Sequence, residues 1–467
     1  MMFNRILLFT LLLAFKLQAQ TNDVKMKWWT DGKFGLFLHW GLYSVTAGDW
    51  NGHKATGNEH FMLYEKIPYK TYGEIGKNFN PTGFNADKWV SMAKNAGMKY
   101  IVITTKHHDG FAMYDSKVSD FNIVKLTPYA KDPIKQLADA CKKYNIKLCF
   151  YYSLGRDWQD PDVPTNWPVK AGRSNTWDFP NEDGKVFQRY FDRKVLPQVT
   201  ELLSNYGPIG IMWFDTPELI NKQQSETLQK LIHKLQPDCI INNRIGNGFG
   251  DYAVSEQKIA DKIDLKSWES CITMSEGWGF NKYDTAWKKP ELLIRQLTDV
   301  VSNGGNLLLN VGPNGEGNFP KPSIERLKLI GKWMEINNEA IYGVRPWKIS
   351  SELPVGSVKP KEQNSLDKKM MDVLNDGTSK AIFPEIRFTR KHNNVYAFLN
   401  NFETKTAVIT ALSKTKANEI IKVKLLGSSK TIKWEQTDAG LKIYLNEKPI
   451  INDLNNLAYK IEFKQSN

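Results

Sequence analysis

The chain has 467 residues, 41% of them hydrophobic and 24% charged, which gives room for a large domain plus a smaller one and lies outside the disordered and fibrous classes. Its formal net charge is +13, yet the lysines are scattered and no zinc-finger spacing, RNA-recognition signature or Walker loop is present, so nucleic acid is not an expected partner. The four cysteines, Cys141, Cys149, Cys239 and Cys271, form no C-x-x-C pair and read as small buried apolar residues rather than zinc ligands.

Residues 1–19 come first in the chain. Arg5 precedes an apolar run from Ile6 to Phe15, and Ala19 offers a small residue at a cleavage point. That is the pattern of a signal peptide, and its apolar run is too short to span a bilayer comfortably. No second long apolar run follows. The mature chain is therefore expected to be exported, periplasmic or secreted, without a membrane span.

From residue 30 to about 340, strand-like and helix-like segments alternate. Strands are expected at Phe34–Trp40, Tyr100–Thr105, Leu148–Ser153, Ile209–Asp215 and Cys239–Asn243. Helices are expected from Asn85 to Ala96, from Asp132 through Tyr144, around Leu228–Leu235, around Leu293–Val301 and over Ile324–Ile336. Such alternation predicts an α/β fold, a parallel sheet wrapped by helices. A (β/α)8-type barrel is preferred to an open sheet, because polar residues recur at the C-terminal ends of several separate strands. No G-x-G-x-x-G follows the first strand, which argues against a dinucleotide fold.

After Trp347 the texture changes. Ser350–Gly377 is polar, and short alternating runs follow at Ile386–Phe388, Val395–Leu399, Ala407–Ile409, Ile420–Leu426, Thr431–Glu435 and Leu441–Leu445. These predict a C-terminal antiparallel β-sandwich. The expected layout is a barrel over 20–348 and a sandwich over 349–467.

The strand ends carry the chemistry. His39 follows the first strand, and His107 and His108 follow the second. Tyr151 ends the third, Trp213 and Asp215 end the fourth, and Arg244 follows the fifth; Glu256, Glu269 and Trp278 come soon after. Carboxylates beside aromatics and imidazoles, with no H-E-x-x-H or other metal spacing and no cofactor motif, suit glycoside hydrolysis. No metal or cofactor is expected. The 15 tryptophans agree with a sugar partner, since a flat π-face packs on the apolar face of a pyranose. One carboxylate must stay ionised as nucleophile, which a nearby cation such as Arg244 favours; a second must hold a proton as acid/base.

At these residues the sequence resembles glycoside hydrolase family 29, the α-L-fucosidases. The resemblance runs through Lys33-Phe34-Gly35-Leu36-Phe37-Leu38-His39-Trp40-Gly41, Thr104-Thr105-Lys106-His107-His108-Asp109-Gly110-Phe111, Tyr151-Tyr152-Ser153, Trp213-Phe214-Asp215, Asn243-Arg244 and the segment from Gly304 to Pro313. It implies a barrel followed by a β-sandwich, a fucosylated oligosaccharide or glycoconjugate as substrate, and retaining double displacement. It also implies Asp215 as nucleophile, Glu256 or Glu269 as acid/base with Glu256 preferred, and His39, His107, His108, Tyr151, Trp213, Arg244 and Trp278 around the sugar. Glu276 is a weaker option for the acid/base. Asp215-Thr216-Pro217 lacks the glycine-rich, lysine-bearing run of the branch specialised for α-1,3/1,4 linkages, which points to the broad-specificity branch. The alternative is a non-catalytic fucose-binding protein on the same scaffold. Nothing in the sequence sets an oligomeric state.

Overall fold

The computed structural model describes residues 24–164, 175–260, 262–357, 385–400, 402, 404–445 and 456–464. The expected signal peptide, residues 1–19, and most of the polar stretch 350–377 lie outside them. No helix among the described residues is long and apolar enough to cross a membrane.

Eight parallel strands form the N-terminal sheet: β1 (Phe34–Leu38), β2 (Tyr100–Lys106), β3 (Lys147–Ser153), β4 (Ile211–Asp215), β5 (Ile240–Ile241), β6 (Ala253–Glu256), β7 (Trp268–Thr273) and β8 (Asn306–Val311). Each pairs with its sequence neighbour, and β8 returns to pair with β1. Between β5 and β6 the connection narrows to one parallel bridge, Asn242 to Tyr252, where Asn243 N–H donates to the Tyr252 carbonyl at 2.7 Å. That bridge makes the curled sheet a barrel.

Helices α1 (Ala86–Asn95), α2 (Pro133–Tyr144), α3 (Leu196–Asn205), α4 (Lys222–Leu235), α5 (Pro290–Ser302) and α6 (Lys321–Asn337) wrap it. Their starts follow from local chemistry. Asn85 and Asp132 side chains accept the Lys88 and Lys135 N–H groups, and Asn221 forms a capping box with Gln224. Among the described residues no α-helix lies in the β5–β6 or β6–β7 connection; the first holds only a 3-10 turn, Asn243–Ile245.

Two cores result. The larger lies between the barrel and its helices. The smaller fills the barrel with every second residue of the strands: Tyr100 and Val102, Cys149 and Tyr151, Ile211 and Trp213, with Phe37 and Leu308. Gly35 makes room there. A Cβ on it would stand 2.4 Å from the Tyr100 ring. All four cysteines are buried and free, as expected.

The chain then builds two antiparallel sheets. One has five strands in the order β9 (Arg345–Glu352), β10 (Glu385–Lys391), β11 (Asn394–Asn400), β16 (Asn456–Phe463), β13 (Ile420–Leu425). The other has three, β12 (Thr406–Ile409), β15 (Leu441–Tyr444) and β14 (Trp434–Gln436). Ile386, Phe388, Leu399, Ile409 and Ile443 share one core between them. The larger sheet packs on the outer helices. Arg295 of α5 pairs with Glu385 at 2.9 Å, and Trp333 of α6 donates to the Asn456 carbonyl at 2.8 Å.

Candidate active site

The C-terminal ends of the barrel strands converge on one mouth. Asp215 closes β4. Its Oδ2 accepts the Tyr151 hydroxyl from β3 at 2.8 Å, and its Oδ1 accepts Arg244 at 2.6 Å and the Thr216 N–H at 2.9 Å. Thr216, a β-branched residue, holds the left-handed conformation with φ 56°, so backbone strain sits beside this carboxylate. Burial alone raises the Asp215 carboxyl; the Arg244 charge, with the hydrogen bonds from Tyr151 and Arg244, outweighs it and holds the group below the ordinary carboxylate range.

Arg244 makes a second ion pair. Its other terminal nitrogen reaches Glu256 Oε2, at the end of β6, also at 2.6 Å. One planar guanidinium thus spans two carboxylates from different strands. The guanidinium lies over the Trp213 ring, 5.2 Å from its centre, and Trp213 stacks on Tyr151 at 5.5 Å. Glu256 is the exposed member of the set, with 42% of its side chain open.

Glu269 sits elsewhere. It points into the barrel from β7, wholly buried. Its Oε2 accepts the Tyr100 hydroxyl at 2.6 Å and its Oε1 the Trp213 indole N–H at 2.9 Å. Burial raises its carboxyl to about 7, against those hydrogen bonds. An unfolded glutamate titrates near 4.5. Between these values unfolding releases a proton, so the contribution of this group to stability falls as pH rises and levels off above about 7. The melting temperature of the wild type should accordingly drop relative to Glu269→Gln between pH 4.5 and 7. Parallel melting curves across that range would contradict it.

Adjacent strand residues point to opposite faces, yet both His107 and His108 face the mouth. β2 ends at Lys106, and the following turn brings the two rings to 4.2 Å. Gly110, with φ 78°, permits that turn: a Cβ there would strike Asp157 at 2.2 Å. Asp157 is itself held between Lys106 at 3.2 Å and Lys194 at 2.7 Å. Burial lowers both His107 and His108 well below the usual imidazole range, and His39 to about 4. His39 Nδ1 lies 2.7 Å from Asn310 Oδ1; an amide oxygen only accepts, so Nδ1 carries the proton and Nε2 is left as acceptor. Asn310 also donates to the Trp278 carbonyl at 2.7 Å, and the Trp278 ring lies 5.1 Å from His39.

Two residues of this mouth carry no signal in the periodicity of the sequence. Glu59 and His60 lie on a short 3-10 turn between β1 and α1. Glu59 accepts the Gly279 N–H at 3.1 Å, and burial, helped by the Glu256 charge, raises its carboxyl to about 7. The His60 ring lies 5.1 Å from His108 and 5.8 Å from His107. Scarcity is the clue that was available: the sequence has seven histidines, and four of them meet here.

Two family models match this chain: one described as Alpha-L-fucosidase over residues 15–339, and one described as Alpha-L-fucosidase C-terminal domain over 378–463. The chain belongs to the α-L-fucosidase family. As such it is a glycoside hydrolase that releases L-fucose. It is 31% identical to the tissue α-L-fucosidase of Mus musculus, over 70% of this chain and 73% of that one. To the plasma α-L-fucosidase of Homo sapiens it is 30% identical, over 72% and 74%. Among solved structures, α-L-fucosidase isoenzyme 1 from Paenibacillus thiaminolyticus superposes with a TM-score of 0.79 at 28% identity, covering 95% of this chain and all of that one. The α-L-fucosidase AlfC of Lactobacillus casei is 39% identical over 68% of this chain and 99% of its own, with a TM-score of 0.64.

For a fucosidase, the Arg244 charge has a pH consequence. Arg244→Met removes the cation that holds Asp215 low, so the acidic limb of kcat/KM should move to higher pH. A pH profile on the folded variant checks this; an unmoved acidic limb would separate Arg244 from the ionisation that matters.

Proposed function

We propose that the protein is an exported, exo-acting, retaining α-L-fucosidase in which Asp215 is the nucleophile and Glu256 the acid/base. The observation that carries this reading is the Arg244 guanidinium shared by Asp215 and Glu256. Retaining hydrolysis needs two carboxyl groups close together at one anomeric carbon. Asp215 is the one kept anionic, by the Arg244 cation and the hydrogen bonds from Tyr151 and Arg244. Glu256 is the one open to solvent, where an aglycone leaves and water enters.

In the first step an Asp215 oxygen bonds to the anomeric carbon of fucose. The glycosidic C–O bond breaks, and Glu256, acting in its protonated form and not as the ion-paired carboxylate, gives its proton to the departing oxygen. In the second step Glu256 takes a proton from water. The water oxygen bonds to the same carbon, the ester bond breaks, and L-fucose leaves with its configuration retained. His39, His107, His108 and Tyr151 receive the sugar hydroxyls, and Trp213 and Trp278 pack on its carbon face. The His39 acceptor at Nε2 suits a sugar O–H donor.

Solved structures show AlfC with its α-L-fucose product, and an aspartate-to-alanine mutant of AlfC with fucose α-1,6-linked to GlcNAc. That disaccharide is therefore the natural substrate to test beside 4-nitrophenyl α-L-fucoside. Proton NMR of the first fucose released should show the α anomer. First appearance of the β anomer would replace retention with inversion. Tight fucose binding without turnover of either substrate would favour the fucose-binding alternative.

A further inference from the structure

The sequence holds no metal-ligand spacing, but the fold assembles a set of ligand atoms from two separate loops. The imidazoles of His60, His107 and His108 offer nitrogen atoms that all lie within 4.8 Å of one another. We propose that these three histidines form a three-nitrogen site for a borderline-soft divalent ion such as Zn2+, and that the ion and the sugar exclude each other. The exclusion half rests on the fucosidase reading above; the binding half does not.

The state of His108 supports ligation. The Ser153 hydroxyl donates to the Arg156 carbonyl at 2.9 Å. Ser153 Oγ therefore accepts at its 2.7 Å contact with His108 Nδ1, and the proton sits on that nitrogen. His108 Nε2 is left with its lone pair, 3.7 Å from Asp215 Oδ2. An Nδ1–H held by an oxygen with Nε2 free to bind is the usual arrangement of a metal-ligating histidine. Two acceptors face each other across that 3.7 Å, so a proton donor or a cation between them improves both.

His107 supplies a second indication. Among the described residues its Nδ1 is buried with no hydrogen-bond partner, a polar atom that a bound group would satisfy. Ligand nitrogens about 2.0–2.1 Å from zinc stand roughly 3.4 Å apart in a tetrahedron. His60 closes the difference. It lies on a three-residue turn, with 23% of its side chain open, whereas His107 and His108 are packed on the strand ends. With Asp215 Oδ2 only 3.7 Å from His108 Nε2, that carboxylate or a water would supply the fourth ligand. An ion there stands where His107 and His108 meet the sugar in the proposed complex.

Calorimetric titration of the untagged, EDTA-stripped mature protein with Zn2+ tests the binding half without any turnover. One high-affinity equivalent is expected. His60→Ala and His60→Gln, each shown folded by circular dichroism, should weaken it by about 10²-fold, within the range set by loss of one ligand or its supporting contact. Co2+ should give the intense visible bands of a tetrahedral site in the wild type and lose them in both variants. Saturating L-fucose should raise the apparent Kd for zinc. Wild-type protein with no high-affinity equivalent, or variants that bind as the wild type does, would overturn the proposal. Zinc binding that His60 governs but fucose leaves untouched would overturn the exclusion half alone. Absence of fucosidase activity in the metal-free wild type would instead count against the catalytic reading.

Discussion

Asp215→Ala is expected to lower kcat/KM on aryl α-L-fucosides by about 10⁴-fold or more, roughly 5.5 kcal/mol of transition-state stabilisation. The side chain is placed for that effect. Its oxygens receive Tyr151, Arg244 and the Thr216 N–H, so the carboxylate is pinned, charged and aimed. Truncation removes the atoms that form the ester in the proposed mechanism and leaves the Arg244 cation with only its more exposed partner, Glu256. Azide makes the test specific. In the alanine variant a small anion fits the vacated space and attacks from the same side as the lost carboxylate, giving β-fucosyl azide. Undiminished turnover by Asp215→Ala, or rescue with the α product, would exclude Asp215 as nucleophile.

Glu256→Ala should act differently. The loss is expected at about 10²–10⁴-fold for a glycan with a poor leaving group, the usual reach of general acid–base catalysis. It should shrink for an aryl leaving group that departs without a proton. Added azide replaces water in the second step and gives α-fucosyl azide. Glu269→Ala and Glu59→Gln are the controls. Glu269 is sealed inside the barrel against Tyr100 and Trp213, and Glu59 is tied to the Gly279 backbone. Neither should show azide rescue. Rescue with retained configuration in Glu269→Ala, and none in Glu256→Ala, would reverse the assignment.

Much of this was legible in the sequence because barrel strands bury apolar, β-branched runs. Tyr100–Lys106 and Ile211–Asp215 announce themselves in that way, and the polar residue at each end marks the mouth. Strands β6 and β7 do not. Ala253–Glu256 is short and partly exposed, and Trp268–Thr273 places Glu269 in the barrel interior, so neither reads as an apolar run. No helix separates these strands among the described residues, which removes the alternation that revealed β1 to β5; β8, an apolar run at Asn306–Val311 right after α5, is also absent from the strands read in the sequence. β16 was missed for a related reason: Asn456–Phe463 mixes Lys460 and Glu462 into its exposed face. The site shows the same division. Residues at strand ends were found, whereas Glu59 and His60 sit on a loop that only the tertiary fold returns to the mouth. The capture of Glu269 by Tyr100 and Trp213 is likewise a three-dimensional fact, since three strands contribute to it.

The central claim is a covalent bond to Asp215, and trapping it is the most direct test. A 2-deoxy-2-fluoro-α-L-fucosyl donor with a good leaving group slows both steps and slows breakdown of the ester more. After incubation with the mature wild-type protein and peptic digestion at low pH, mass spectrometry should find the sugar on the peptide that contains Trp213-Phe214-Asp215, with fragmentation placing it on Asp215. A label on Glu256, Glu269 or Glu59, or turnover of the donor with no labelled peptide and an inverted product, would contradict the account.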